Sequence, residues 1–204
     1  AGENTERVRT YWYVVENIDF FPYQISALRK KGGPLELKQV LSKDEELKGI
    51  FSKITNGTEL EREMNLVVDR LIERQRVMQS RFLGWINIQD TIARQGKSIE
   101  FRRAGSIRFN LFKRQLGLEK AVDVKLATDL ITLKDIYDVA VIVSGDQDYV
   151  PAVDAIKDAG KHTVNVSFLT KEGRVLPGGA RRLNQSTDWN IAIKHLDLQK
   201  FLKL

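Results

Sequence analysis

The stretch YDVAVIVSGDQDYVPAVDAIKDAGKHTVNVSFL, residues 137–169, leaves few folds open. An apolar, β-branched run, Val139 to Val143, stops at Ser144-Gly145. A short segment follows with Pro151 near its start and Gly160 at its end, and then a second β-branched run, His162 to Leu169. Pro early and Gly late mark a helix. Strand, helix and strand in succession predict two parallel strands joined by a crossover, because a tight turn joins only antiparallel neighbours. The unbroken apolarity of YDVAVIVSG predicts a strand covered on both faces. The expected class is α/β, with helices layered on a parallel sheet.

The remaining segments fit around that unit. RVRTYWYVV, residues 7–15, alternates and is rich in aromatic and β-branched side chains, which predicts a strand. SALRKKGG reads as a short helix stopped by Gly32-Gly33, with Pro34 opening the next segment. From 35 to about 95 the pattern is helical and highly charged. In TELEREMNLVVDRLIERQRVMQSRF, Thr58 and Glu61 have the spacing of a capping box, and Leu60, Met64, Val67, Leu71, Met78 and Phe82 form one apolar face. SIEFRRAG predicts a strand and LEKAVDVKLATDLITLKDI a helix after a turn, with Leu126, Leu130 and Leu133 on one side. LDLQKFLKL predicts a terminal helix.

At 204 residues the chain can bury a core as one domain, residues 1–204, with 35–95 as a helical insertion. No stretch approaches the ~20 apolar residues of a membrane-spanning helix, and no signal-peptide pattern opens the chain. The absence of cysteine excludes disulfides, thiolate metal sites and a cysteine nucleophile, and fits the cytoplasm. A net charge of +6 and a pI near 9.5 suit a polyanionic partner.

Chemistry is expected where ligands meet open parallel sheets, outside the carboxyl ends of the strands. Asp146 and Asp148 follow such an end directly. Two carboxylates about 4 Å apart repel by roughly 4 kcal/mol at an effective dielectric of about 20, which a cation or a shared proton relieves. Oxygen ligands alone favour Mg²⁺ or Mn²⁺. The alternative is that Asp146 caps the following helix and Asp148 is solvated. Asp123 and Asp129 form a second acidic set. Six residues on a helix lie about 240° apart, so the two share a face only if Asp123 sits in the turn before the helix. For Asp129 a surface or capping role is the alternative, and Lys120 could balance the acids.

These residues resemble the NYN domain, the LabA-like branch of the PIN-like nucleases. The shared pattern is carried by Lys120, Val122, Asp123, Val124, Leu126, Ala127 and Asp129, then Tyr137-Asp138, Ser144-Gly145-Asp146, Asp148-Tyr149 and Gly160-Lys161. The resemblance implies a Rossmann-like, three-layer parallel sheet with an acidic pocket, and Mg²⁺- or Mn²⁺-dependent hydrolysis of RNA. It also implies that Asp123, Asp146 and Asp148, with Asp129, hold the metal. The family opens with a strand ending Asp-x-x-Asn. Here AGEN places Ala1 at the Asp and Asn4 at the Asn, where Asn4 would help orient the site. The expectation is that first-strand residues precede Ala1. Residues 35–95 have no counterpart in the short family core.

Basic residues fit the same substrate. Arg102, Arg103, Arg108, Lys113 and Arg114 precede the acidic motif, and Arg174, Arg181 and Arg182 flank LPGG. Such side chains bring affinity and salt dependence rather than sequence choice; a solvated face of scattered charge is the alternative. Phe101, Phe109 and Phe112, interleaved with these bases, can stack on nucleobases or belong to the core. Ser144 can hydrogen-bond a carboxylate or a phosphate, while His162 and His195 lack partners at ligand spacing. The expected activity is endoribonucleolytic, with Ser144, Lys120, Arg102, Arg103, Arg181 and Arg182 on the RNA. A catalytically degenerate RNA-binding module is the alternative. The stripe through 60–82 serves either a homodimer or packing within the chain.

Overall fold

The computed structural model describes residues 5–23, 25, 27, 33–176 and 180–202. AGEN, most of the expected helix at SALRKK and the Pro177–Gly179 part of LPGG lie outside them. The chain forms two compact units, one from residues up to Tyr13 together with Asp123 onward, the other from Val14 to Val122.

The first unit carries the parallel sheet. β4 (Val139–Ile142) pairs in parallel with β5 (His162–Leu169), and β5 pairs in parallel with β7 (Trp189–Lys194). The short β6 (Val175–Leu176) runs antiparallel to the end of β5. Helix α5 (Val150–Asp158) makes the expected crossover from β4 to β5, with Pro151 in its first turn and Gly160 at φ +79° just past its end. α6 (Ala180–Ser186) connects toward β7, and α7 (His195–Leu202) follows it. α4 (Val122–Thr132), a 3₁₀ turn (Lys134–Ile136) and a second 3₁₀ turn (Gln147–Tyr149) complete the unit.

Ile142, Tyr149, Val153 and Leu183 form the core here, with Leu126, Ala127 and Leu130 of α4 packed against them. The expectation that β4 is covered on both faces fails. Ala140 and Ile142 are buried, but Val141 is 61% exposed, and Trp189 and Ile191 of β7 are exposed too. The β-branched run therefore reflects a buried face plus strand propensity on an open one.

The second unit is built on a different sheet. β2 (Ile99–Asn110) lies between β1 (Thr10–Phe21), which belongs here from Val14 on, and β3 (Gln115–Lys120). β2 and β3 are antiparallel, with a register shift between Ile107 and Phe109. Residues 118–120, expected as the turn before a helix, are strand. They pair with β2, and the helix begins only at Val122. Two short helices, α1 (Pro34–Leu41) and α2 (Glu45–Phe51), precede α3 (Gly57–Gln95), a 39-residue helix about 58 Å long.

The cap of α3 is Asn56 rather than Thr58. Its Oδ1 accepts from Thr58 N (2.9 Å) and Glu59 N (3.2 Å), satisfying two of the helix's free N–H groups. Met64, Val67, Val68 and Leu71 pack with Ile25, Leu37, Leu41, Phe51 and Leu111, so the amino-terminal half of the stripe is spent inside the chain. Phe109 and Phe112 pack against this core, which makes Phe109 a core residue rather than a free stacking platform.

Candidate functional site

The acidic motif folds as a chain of small turns at the carboxyl end of β4. Asp146 N donates to Ser144 Oγ (3.1 Å), and Asp148 N donates to Asp146 Oδ1 (2.9 Å). Asp146 is thereby the cap of the Gln147–Tyr149 turn, the capping role that its sequence position allowed. That turn places Tyr149, which is buried, so that its hydroxyl donates to Asp123 Oδ1 at 2.6 Å. Asp123 itself stands in the first turn of α4, where free N–H groups favour a negative charge. One hydrogen bond thus ties the second acidic segment to the 146–149 turn.

The other expected residues have separate surroundings. Asp129 is only 3% exposed and its Oδ1 holds Lys125 Nζ at 2.9 Å, one helical turn away. Asp148 is exposed and lines a shallow depression of about 310 Å³ with Gln147, Val150, Pro151 and Arg182. Arg181 is exposed beside it in sequence. Lys120, Arg102 and Arg103 lie in the second unit. There Arg102 pairs with Glu100 (2.9 Å) and Arg103 with Asp90 (2.5 Å), so neither guanidinium is spare. Asn4 lies outside the described residues.

Several motif positions are scaffold. Tyr137 donates its hydroxyl to the Leu130 carbonyl, and burial pushes its pKa up to about 12. Lys161 approaches Asp138 at 3.5 Å, joining the Tyr-Asp and Gly-Lys pieces of the pattern.

Asp188 has a role that its own stretch of chain did not reveal. It accepts from Thr163 N (2.7 Å) and Thr163 Oγ1 (3.0 Å), with Lys157 Nζ at 3.4 Å. The Thr163 backbone N–H is the main cause that holds its carboxyl below the usual range. Beside it Asn165 Nδ2 donates to Asn184 Oδ1 (2.5 Å), and Asn190 Nδ2 donates to the Asn184 carbonyl (2.8 Å). The signal was present in ARRLNQSTDWN, as polar residues between a helix and a strand, but the partners lie on β5.

Donor chemistry at Asp123 and Asp146 suits a hard divalent cation, since both offer carboxylate oxygens. Among the described residues, however, no three His, Asp or Glu side chains converge closely enough to hold a metal. Tyr149 occupies one oxygen of Asp123 and Asp148 N one of Asp146. The arrangement fixes Asp146 at the end of β4, ties Asp123 on α4 to Tyr149, and leaves Asp148 and Arg182 beside an open depression.

No curated protein and no solved structure matches the chain. The family model of the NYN domain matches residues 49–177, which begins within α2 and runs through α3 and the acidic turn to one residue past β6. Over more than half of its length, then, this mixed α/β chain with its parallel sheet belongs to the NYN domain family, whose members are nuclease-like.

Proposed function

We propose that the chain is a cytoplasmic, metal-dependent endoribonuclease of PIN-like type. The nuclease-like family carries the general reading, and the Tyr149–Asp123 hydrogen bond beside the Asp146 cap carries the local one. Asp123, Asp146 and Asp148 would hold Mg²⁺ or Mn²⁺. Asp129 lies about 240° round α4 from Asp123 and keeps its Lys125 ion pair in this reading, while Asn4 is the residue that would orient the site. When bound, the cation would acidify a water and offset charge on the phosphate.

The chain's own residues do the rest. Tyr149 fixes the Asp123 carboxylate, Ser144 Oγ fixes the backbone of Asp146, and Arg182 and Arg181 draw the phosphodiester toward Asp148. Lys120, Arg102 and Arg103 are proposed as separate RNA contacts on the second unit, where the arginines would have to exchange Glu100 and Asp90 for phosphate. In this reading the sheet is the centre of a Rossmann-like, three-layer fold, and 35–95 is a helical insertion in one NYN domain spanning 1–204. Val77, Trp85 and Ile88 are exposed on α3 and would form any homodimer contact made through that insertion.

Labelled RNA incubated with Mn²⁺, Mg²⁺ or EDTA tests this directly. Cleavage should occur with one of the metals, stop in EDTA, and fall at least about 100-fold in Asp146→Asn. Equal cleavage by the variant would remove Asp146 from the site. A second reading, a nuclease-like module that binds RNA without cutting it, draws on the lack of a three-acid metal group among the described residues. Salt-sensitive RNA binding with no cleavage under any metal would favour it.

A further inference from the structure

The second unit carries a basic and aromatic surface away from any carboxylate cluster. It begins where β1 ends, at Phe21, whose carbonyl accepts from Leu111 N at 2.8 Å and so ties the ends of β1 and β2 together. The Phe21 ring meets Tyr23 edge-on at 6.4 Å and Phe112 at 6.1 Å. Tyr23 is 51% exposed, with the Arg108 guanidinium 5.6 Å from its ring centroid, and Lys43 Nζ stands 5.8 Å over Phe21. Beyond Phe112, Arg74 Nη1 donates to the carbonyls of Leu111 (2.9 Å) and Phe112 (3.3 Å). Asn110 Oδ1 accepts from Phe112 N and Lys113 N, fixing the turn that presents Lys113 and Arg114.

The charges on this surface are not balanced from within. Burial and the neighbouring charges of Arg114 and Arg70 lower the pKa of Arg74, which places three guanidinium groups in one field. Among the described residues, Arg70, Arg108, Lys113 and Arg114 have no carboxylate within 4.0 Å. The contrast within β2 is informative. Arg102 and Arg103, early in the strand, are neutralised by Glu100 and Asp90, whereas Arg108 and the turn after it are not. Like charges with no carboxylate within 4.0 Å suit a polyanion, and an exposed ring flanked by them suits a nucleobase. An acidic peptide would use the cations and leave the ring idle.

We propose that this surface binds single-stranded nucleic acid, with Tyr23 and Arg108 stacking on a base and Arg70, Arg74, Lys113 and Arg114 taking adjacent phosphates. The choice of RNA rests on the nuclease reading; the binding chemistry does not. Fluorescence anisotropy with labelled oligouridylate and oligothymidylate, in EDTA so that no cleavage is scored, tests it. Tyr23→Ala should weaken binding about tenfold, while Tyr23→Phe keeps the ring and stays within about twofold. The Arg70→Ala/Lys113→Ala/Arg114→Ala variant should bind less tightly, with a salt slope reduced by about 0.7 for each phosphate it no longer holds. Circular dichroism confirms that each variant is folded. Preference for oligouridylate would mark an RNA site, and equal binding a general single-strand site; either supports the proposal. Folded Tyr23→Ala binding like wild type would overturn it, as would displacement by polyglutamate as effective as by oligouridylate. Loss of cleavage in the earlier assay leaves this result untouched, so the two readings fail separately.

Discussion

At Tyr149 a single hydroxyl joins two acidic segments, and its removal is a clean test of that link. Tyr149→Phe keeps the buried ring but deletes the hydrogen bond to Asp123. Bonds to charged acceptors contribute roughly 1.5–3 kcal/mol, so a loss of about 2 kcal/mol is expected in urea denaturation. In an Asp123→Asn background the same change should cost less; equal losses in both would show that the hydroxyl does not act through Asp123. Asp188 yields a pH-dependent prediction. Thr163 N–H, Thr163 Oγ1 and Lys157 all favour its ionised form, so its folded pKa lies below the ordinary value of 3.8. A depressed carboxylate stabilises the fold above the ordinary pKa and loses that contribution as pH falls through the folded one. Asp188→Asn should therefore be less stable than wild type at neutral pH, and the gap should close in strong acid. A gap independent of pH would show that shape, not charge, is what Asp188 supplies.

Among the elements, the β2–β3 hairpin has the strictest local demand. Gly105 sits at φ +62°, and a Cβ there would fall 1.8 Å from the Lys120 carbonyl oxygen. Neither the backbone angle nor the space allows a side chain, so Gly105→Ala should cost more than about 2 kcal/mol, read from thermal or urea melts. A cost below about 0.5 kcal/mol would mean that β3 can move away from β2 freely. The long helix α3 has a milder demand at its start. Asn56→Ala removes the acceptor for Thr58 N and Glu59 N and should cost about 1 kcal/mol. The carboxyl-terminal half of α3 obeys a different logic from the rest. There Leu83, Trp85 and Ile88 are exposed, while Met64 to Leu71 supply the core.

For the molecule as a whole, a net charge of +6 is less telling than where it is spent. Lys125, Lys157 and Lys161 hold Asp129, Asp188 and Asp138 in the first unit, whereas Arg70, Arg108, Lys113 and Arg114 in the second have no such partners among the described residues. The proposed metal binding would be felt by the entire fold, because a ligand that binds only the folded chain raises its stability. Mn²⁺ at about 100 times its Kd should add roughly 2.7 kcal/mol and raise Tm, with EDTA reversing the change. An Asp123→Asn/Asp146→Asn variant should show no rise. A rise of the same size in that variant would place the metal elsewhere.

The sequence alone determined the β4–α5–β5 unit, the family, the long helix and the acidic turn. Each of these is a local pattern, since a β-branched run, a Pro-to-Gly helix frame and a Ser-Gly-Asp-x-Asp turn are set by neighbours a few residues apart. Tertiary structure decided what pairing across the chain decides. It made 118–120 a strand by setting it against β2, and it left Val141 exposed on a strand that reads as fully buried. It also neutralised Arg102 and Arg103 and brought Tyr149 to Asp123 across 26 residues. A residue's partners from distant segments leave no mark on its own stretch of chain, so charge and apolarity could be counted beforehand but not assigned.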